Sequence, residues 1–154
     1  MSLFGYAGNI LKIDLGSRSI SKLSTMDYAD RFLGGRGIAA MLYWEHAPAQ
    51  AAAFSPQNAL VFATGPLAGI PAIGGSRWVA CAKSPAASPE HFCSANLGGN
   101  WGLALKSAGY DAMLVQGKSD QPVYLLVQNG TVEYRDASAF RGRGAIETRQ
   151  ALKA

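Results

Sequence analysis

The sequence predicts an α+β fold that is β-rich, with mostly antiparallel sheets and short inserted helices. Three observations predict it. Alternating runs come in pairs across short turns, as in "NILKIDLGSRSISKLS" and "PVYLLVQNGTVEYRD". The segments with helical character are short and lie between strands. Strands and helices do not take turns as regular strand–helix–strand units would require.

Taken in order, Ile10, Lys12 and Asp14, then Ile20 and Lys22, read as strand faces on either side of a tight turn at Gly16-Ser17. "STMDYADRFLGGRG" offers Ser24 or Thr25 as a helix N-cap, an acid in the first turn, and Gly34-Gly35 as a stop. "GIAAMLYWEH" predicts a second helix, ended near Ala47-Pro48. "NALVFATGP" is a short β-rich run closed by Gly-Pro, and "RWVACAKS" is another. "GGNWGLALKSAGYD" predicts a short helix, with Leu103, Lys106 and Gly109 toward its end. "AMLVQGK", "PVYLLVQNG" and "TVEYRD" read as three more strands, with a hairpin signal at Asn129-Gly130. "AIETRQALKA" opens a further helix. No repeat, low-complexity tract or linker divides residues 1–154, which read as a single domain.

The composition sets limits. A chain of 154 residues, 49% hydrophobic and 16% charged, has the size and apolar content for one ordinary core. Its 18 glycines imply many turns or close backbone approaches. A net charge of +4 permits an anionic ligand without demanding nucleic acid. The single "RGRG" at Arg141–Gly144 is too little for RNA binding. No Asp, Glu, Lys or Arg occurs between Glu45 and Arg77. Pro48, Pro56, Pro66 and Pro71 interrupt that span, so it does not read as a membrane helix. The start, "MSLFGYAGNILKIDL", has no basic region followed by a long apolar segment, and a secretory signal is not expected. Cys81 and Cys93 are too few for a disulfide scaffold or a cluster, and fit buried thiols in a reducing cytoplasm.

Most catalytic patterns are missing. "GGRGIAA" (Gly34 to Ala40) lies between two helices, whereas a dinucleotide fingerprint follows a strand. No Walker-type Gly-x-x-x-x-Gly-Lys-Ser/Thr occurs. His46 and His91 lack metal-ligand spacing; His46 reads as a capping or surface residue and His91 as a loop residue. Ser76 and Ser94 lack a nucleophile-elbow context, and Glu90 has no neighbouring carboxylate to tune it. Trp44, Trp78 and Trp101 read as core or interface residues. Two anion-friendly elements remain: Arg77, entered through Gly75 and Ser76, and the Asn96–Gly99 loop before a helix. Arginine offers a planar fork for phosphate or polar heterocycle edges, and glycines let backbone approach a large ligand. Spacing alone equally allows a surface or ion-paired Arg77, and at Gly98-Gly99 it favours a tight turn with a helix cap over a phosphate site.

An ordered series of segments adds to this reading: "FGYAGNILKIDL", "FLGGRGIAA", "SPQNALVFATGPLAG", "GGSRWVACAKSP" and "SANLGGNWGLALKSAGYDAMLVQGKSDQPVYLLVQNG". From about Phe4 onward the chain resembles the N-terminal domain of the aldehyde:ferredoxin oxidoreductase family, with "ATGPL" and "K-x-AGYD" the more specific pieces. The resemblance implies a β-rich base for a tungsten or molybdenum bis-pyranopterin, oxidation of aldehydes to carboxylic acids, and electron flow through a [4Fe–4S] cluster to ferredoxin or an electron-transfer subunit. Arg77 matches the family arginine between a pterin and the cluster, and Gly75 and Ser76 go with it as cofactor-binding candidates. Asn96 matches the asparagine whose backbone carbonyl helps hold a magnesium ion bridging the pterin phosphates, so it is the metal-binding candidate. Gly98 and Gly99 match the glycine pair beside it. Gly34–Gly37 is assigned to packing near the cofactor.

The chain has no Cys-x-x-Cys-x-x-x-Cys run and none of the acidic pterin motifs or proton-transfer residues of the family's helical domains. No catalytic residue is therefore assigned to it. The expectation is an incomplete N-terminal domain, inactive by itself, that works with helical domains of the same cytoplasmic enzyme, with room for a homo-oligomer. The competing reading is a stand-alone binding or assembly module derived from this domain.

Overall fold

A computed structural model of the chain describes residues 4–70, 74–128 and 130–153. Two compact units form, residues 1–118 and 119–154, although the sequence showed no linker between them.

The first unit is built on a six-stranded sheet with the order β2-β1-β6-β3-β4-β5. Its strands are β1 (Asn9–Asp14), β2 (Ser19–Ser24), β3 (Leu60–Thr64), β4 (Trp78–Ser84), β5 (His91–Leu97) and β6 (Ala112–Gln116). β1 runs parallel to β6, and the other neighbours pair antiparallel. The fold is α+β and mostly antiparallel, as the paired alternating runs indicated.

Register explains the core. Val61 lies opposite Cys81 and Ala63 opposite Val79, so their side chains share one face. Helix α2 (Arg36–His46) lies over that face and buries Ile38, Ala39 and Leu42, the one-sided spacing of an amphipathic helix. Ile10, Ala112 and Leu114 complete this cluster. Each large side chain fully buried here contributes about 1.5–3 kcal/mol. Cys81 belongs to the same core, and burial pushes its thiol up to about 11, so it packs as a small apolar side chain. On the opposite face Phe62, Trp78 and Trp101 form a ring cluster, with centroids 4.5–5.8 Å apart. Trp101 opens helix α3 (Trp101–Ser107). Trp78 and Trp101 thus do pack as the sequence suggested, whereas Trp44 is 81% exposed.

The second unit is the hairpin β7 (Val123–Gln128) and β8 (Thr131–Asp136), followed by a 3₁₀ turn and helix α4 (Ala145–Ala151). Gln128 pairs with Thr131, which fixes a two-residue turn. Gly130 takes φ 76°, and Asn129 lies outside the described residues. The Phe140 ring packs edge-on to Tyr124 at 5.9 Å within this unit.

Two expectations need correction. The helix expected from Ser24 or Thr25 to Gly34-Gly35 is only one turn, α1 (Met26–Ala29). Thr25 does stand at the N-cap, but its hydroxyl donates to Asp111 at 2.8 Å instead of capping. Gly34 serves close packing rather than a helix stop: a Cβ there would lie 3.1 Å from Gly65 Cα and 3.1 Å from the Thr64 carbonyl oxygen. The second correction is β5. The segment expected as a loop, with His91 and Asn96 in it, is a seven-residue edge strand.

Candidate cofactor-binding site

All six candidate residues fall at one end of the six-stranded sheet. β3 ends at Thr64, where it pairs with Trp78 at the start of β4; Trp78 in turn pairs with Leu97 at the end of β5. Gly75, Ser76 and Arg77 lead into β4 at this end, and Gly98 and Gly99 leave β5 there. Asn96 pairs with Val79, one step inside the same edge. The Trp78 indole donates to the Gly98 carbonyl at 3.0 Å and ties the two segments together.

Arg77 is exposed, and its guanidinium makes no hydrogen bond or ion pair among the described residues. The alternative reading of Arg77 as an ion-paired residue therefore has no partner to support it. Ser76 is exposed, and its backbone N–H donates to the Gly74 carbonyl at 2.9 Å in a tight turn. Gly75 has a definite packing reason: a Cβ there would lie 2.2 Å from the Leu67 carbonyl oxygen. Only glycine lets these two backbone segments meet. Asn96 is exposed on β5, whose outer edge has no strand partner among the described residues. An antiparallel edge strand leaves the carbonyls and amides of alternate residues unpaired. Gly98 and Gly99 border open space, with nothing described within 4 Å of a Cβ at either.

The residue that organises this rim was not singled out from the sequence. Asp111 is 2% exposed and begins the approach to β6. Its Oδ1 accepts from the Ala7 amide at 2.9 Å and from Lys106 Nζ at 2.6 Å. Its Oδ2 accepts from the Gly8 amide and the Thr25 hydroxyl, both at 2.8 Å. Its backbone carbonyl accepts from both the amide and the hydroxyl of Thr64 at 2.9 Å. Lys106 also donates to the Gly65 carbonyl at 3.2 Å. Its ammonium lies 5.6 Å from the centre of the Tyr6 ring, whose hydroxyl donates to the Leu33 carbonyl at 2.7 Å. Burial, with the Asp111 charge second, raises the Tyr6 pKa and keeps the phenol neutral. The signal was present in "K-x-AGYD", which contains both ends of the Lys106–Asp111 pair.

The remaining candidates are elsewhere or inert. Glu90 accepts the Ala53 amide at 2.8 Å and is a structural acceptor. His91 contacts the Pro89 carbonyl through Nδ1 at 3.1 Å, at the far end of β5. His46 ends α2, also away from the rim, and its buried Nε2 has no partner among the described residues. Burial, and then Lys12, lower its pKa. Among the described residues no three His, Cys, Asp or Glu side chains gather into a metal-binding group. No described helix is long and apolar enough to cross a membrane.

This sheet end brings Gly75, Gly98 and Gly99 together with an Arg77 guanidinium that has no hydrogen-bond or ion-pair partner among the described residues. The chain belongs to the family of the aldehyde ferredoxin oxidoreductase N-terminal domain, whose model matches residues 10–154. It is 40% identical over 152 residues to the tungsten-containing aldehyde ferredoxin oxidoreductase of Pyrococcus abyssi (strain GE5 / Orsay), covering 98% of this chain and 25% of that protein. It is 33% identical to the aliphatic sulfonate oxidoreductase, WOR-like subunit, of Pyrococcus furiosus, over 97% of this chain and 24% of the relative. Among solved structures, the active site complex BamBC of benzoyl coenzyme A reductase with 1,5 dienoyl-CoA aligns at a TM-score of 0.91 and 39% identity, covering 97% of this chain and 23% of that one. The chain thus spans about a quarter of the length of these relatives.

Proposed function

We propose that this chain forms the cofactor-cradling N-terminal portion of a tungsten or molybdenum bis-pyranopterin oxidoreductase. In this reading the complete enzyme oxidises aldehydes to carboxylic acids in the cytoplasm and passes electrons through a [4Fe–4S] cluster, held by its helical domains, to ferredoxin or an electron-transfer subunit. The observation that carries the reading is the exposed Arg77, unpaired among the described residues, beside the open Gly98-Gly99 turn in a chain of this family.

The residues present fit such a group. A pyranopterin is a flat, polar heterocycle carrying phosphate, and Arg77 offers a planar cationic fork for either part. Gly98 and Gly99 leave the room that a large ligand needs. The free edge of β5 supplies backbone carbonyls, among which that of Asn96 would hold a magnesium ion against the phosphates, since Mg²⁺ prefers oxygen ligands. When bound, the cofactor supplies the two-electron chemistry. Arg77 would orient it and hold positive charge beside its electron-rich groups.

The first test is the coding sequence past codon 154. A frame running on into a Cys-x-x-Cys-x-x-x-Cys segment supports the reading, and a stop codon with no partner subunit encoded favours a stand-alone binding module. The second is Arg77→Ala in the assembled enzyme, where loss of one such supporting contact is expected to lower bound metal about tenfold. Unchanged metal content together with unchanged activity would sink the assignment.

A further inference from the structure

We infer that Asp111, through its ion pair with Lys106, is the positioning residue that sets Arg77 for the cofactor; this inference rests on the cradle reading above. The connection is continuous. Asp111 fixes Thr64 through its backbone carbonyl, and Lys106 fixes Gly65 through its ammonium. These two residues start the turn that runs to Gly69. The Gly69 amide donates to the Gly75 carbonyl at 3.2 Å, and Gly75 lies so close to Leu67 that no Cβ fits. Two residues later the chain reaches Arg77. From the other side, Thr64 pairs with Trp78, the residue after Arg77. The root of the guanidinium is therefore held on both sides by backbone anchored at Asp111, at Thr64 through its peptide carbonyl and at Gly65 through its carboxylate by way of Lys106.

Stability alone does not call for a charge at this point. Burying a carboxylate and an ammonium costs several kcal/mol in desolvation, and a well-packed apolar replacement is often as stable. What the pair provides is direction. One carboxylate accepts from Ala7, Gly8, Thr25 and Lys106 at 2.6–2.9 Å, so the first loop, the start of α1 and the end of α3 have one relative placement. An apolar cluster would tolerate sliding among these segments, and the rim would lose its register.

The test uses the assembled enzyme with Asp111→Asn, Lys106→Met, Lys106→Arg and Arg77→Ala. Leu42→Ala, in the α2 core, is a control that lowers stability away from the rim. Tungsten or molybdenum per folded protomer is measured beside the thermal midpoint. Asp111→Asn and Lys106→Met are expected to lose metal about tenfold, as supporting residues of metal sites do. Leu42→Ala is expected to melt earlier and keep its metal, and Lys106→Arg to recover most of the loss. If Asp111→Asn does not fold, the Lys106 variants decide. Metal content in Lys106→Met equal to that of Leu42→Ala, with Arg77→Ala depleted, overturns the positioning role and leaves the cradle standing. Full metal content together with unchanged activity in Arg77→Ala overturns the cradle, and the positioning role with it.

Discussion

Two Gly-Gly pairs lie at the same end of the sheet, Gly74-Gly75 before β4 and Gly98-Gly99 after β5, and Gly75 does the opposite of Gly98 and Gly99. Gly75 is closed in by this chain: its missing Cβ leaves room for the Leu67 carbonyl. Gly98 and Gly99 face space that no described residue occupies. Gly75 shapes the rim, and Gly98 and Gly99 leave it open. In sequence the two pairs look alike, because a glycine that accommodates the chain's own backbone and one that accommodates a ligand are the same residue. Only the neighbour separates them.

The largest expected effect comes from breaking the closed side. Gly75→Ala would place a methyl group 2.2 Å from a backbone oxygen, which neither segment can avoid by a rotamer change. Overpacking of this kind costs about 3 kcal/mol. Urea unfolding should show a lower midpoint with an unchanged slope. A midpoint equal to the parent would mean that the turn from Thr64 to Gly69 yields easily, and the inferred hold on Arg77 would fail with it.

The open side should respond in the other currency, ligand retention. Gly99 sits at φ +84°, so Gly99→Ala carries a backbone strain of about 1 kcal/mol even with space around it. Gly98→Ala carries neither strain nor clash, and stability should stay within about 0.5 kcal/mol of the parent. Both variants should nevertheless hold less metal in the assembled enzyme. Gly98→Ala is the sharper of the two, because a loss of metal at constant stability has no folding explanation. Metal content equal to the parent in Gly98→Ala would place the ligand elsewhere.

The same contrast explains what was legible in the sequence. Paired alternation announced β1 with β2 and β7 with β8, because turns of two to four residues make such pairing local. The α2 core was legible in the spacing of Ile38, Ala39 and Leu42. β5 was not, since an edge strand exposes both faces: six of its seven residues are exposed, and "HFCSANL" has no apolar alternation to read. α1 was overestimated because a residue far along the chain takes the capping hydroxyl of Thr25. Asp111 escaped notice for the same reason. Its amide donors at Ala7 and Gly8 lie 104 and 103 positions away in sequence, and Thr25 lies 86 away, so the one local mark is Lys106 in "K-x-AGYD", which does not by itself announce a hub. Arg77 was noticed because it ends a long uncharged stretch, and its candidacy as a site residue came from resemblance rather than from spacing.

The smallest expected effect lies at the opposite end of the sheet, where His46 ends α2. Its Nε2 is buried without a partner among the described residues, and burial lowers its pKa from the ordinary value of 6.5. A base whose folded pKa is depressed binds fewer protons folded than unfolded. Its contribution to stability is therefore complete above pH 6.5 and is lost as the pH falls toward the folded value. The carbonyl of His46 meanwhile accepts from Gln116 at 2.8 Å, so the backbone there is anchored whatever the ring does. His46→Gln removes the titration and leaves that anchor in place. Thermal midpoints measured from pH 7.5 down to pH 5.5, a window chosen to bracket the usual histidine range of about 6.5, should fall more in the parent than in His46→Gln. Metal content should be the same in both across that range, since the rim lies at the other end of β3 and β4. An equal fall in midpoint in both proteins would assign the acid sensitivity to another group. A loss of metal that tracks His46 would show that the two ends of the sheet are coupled after all.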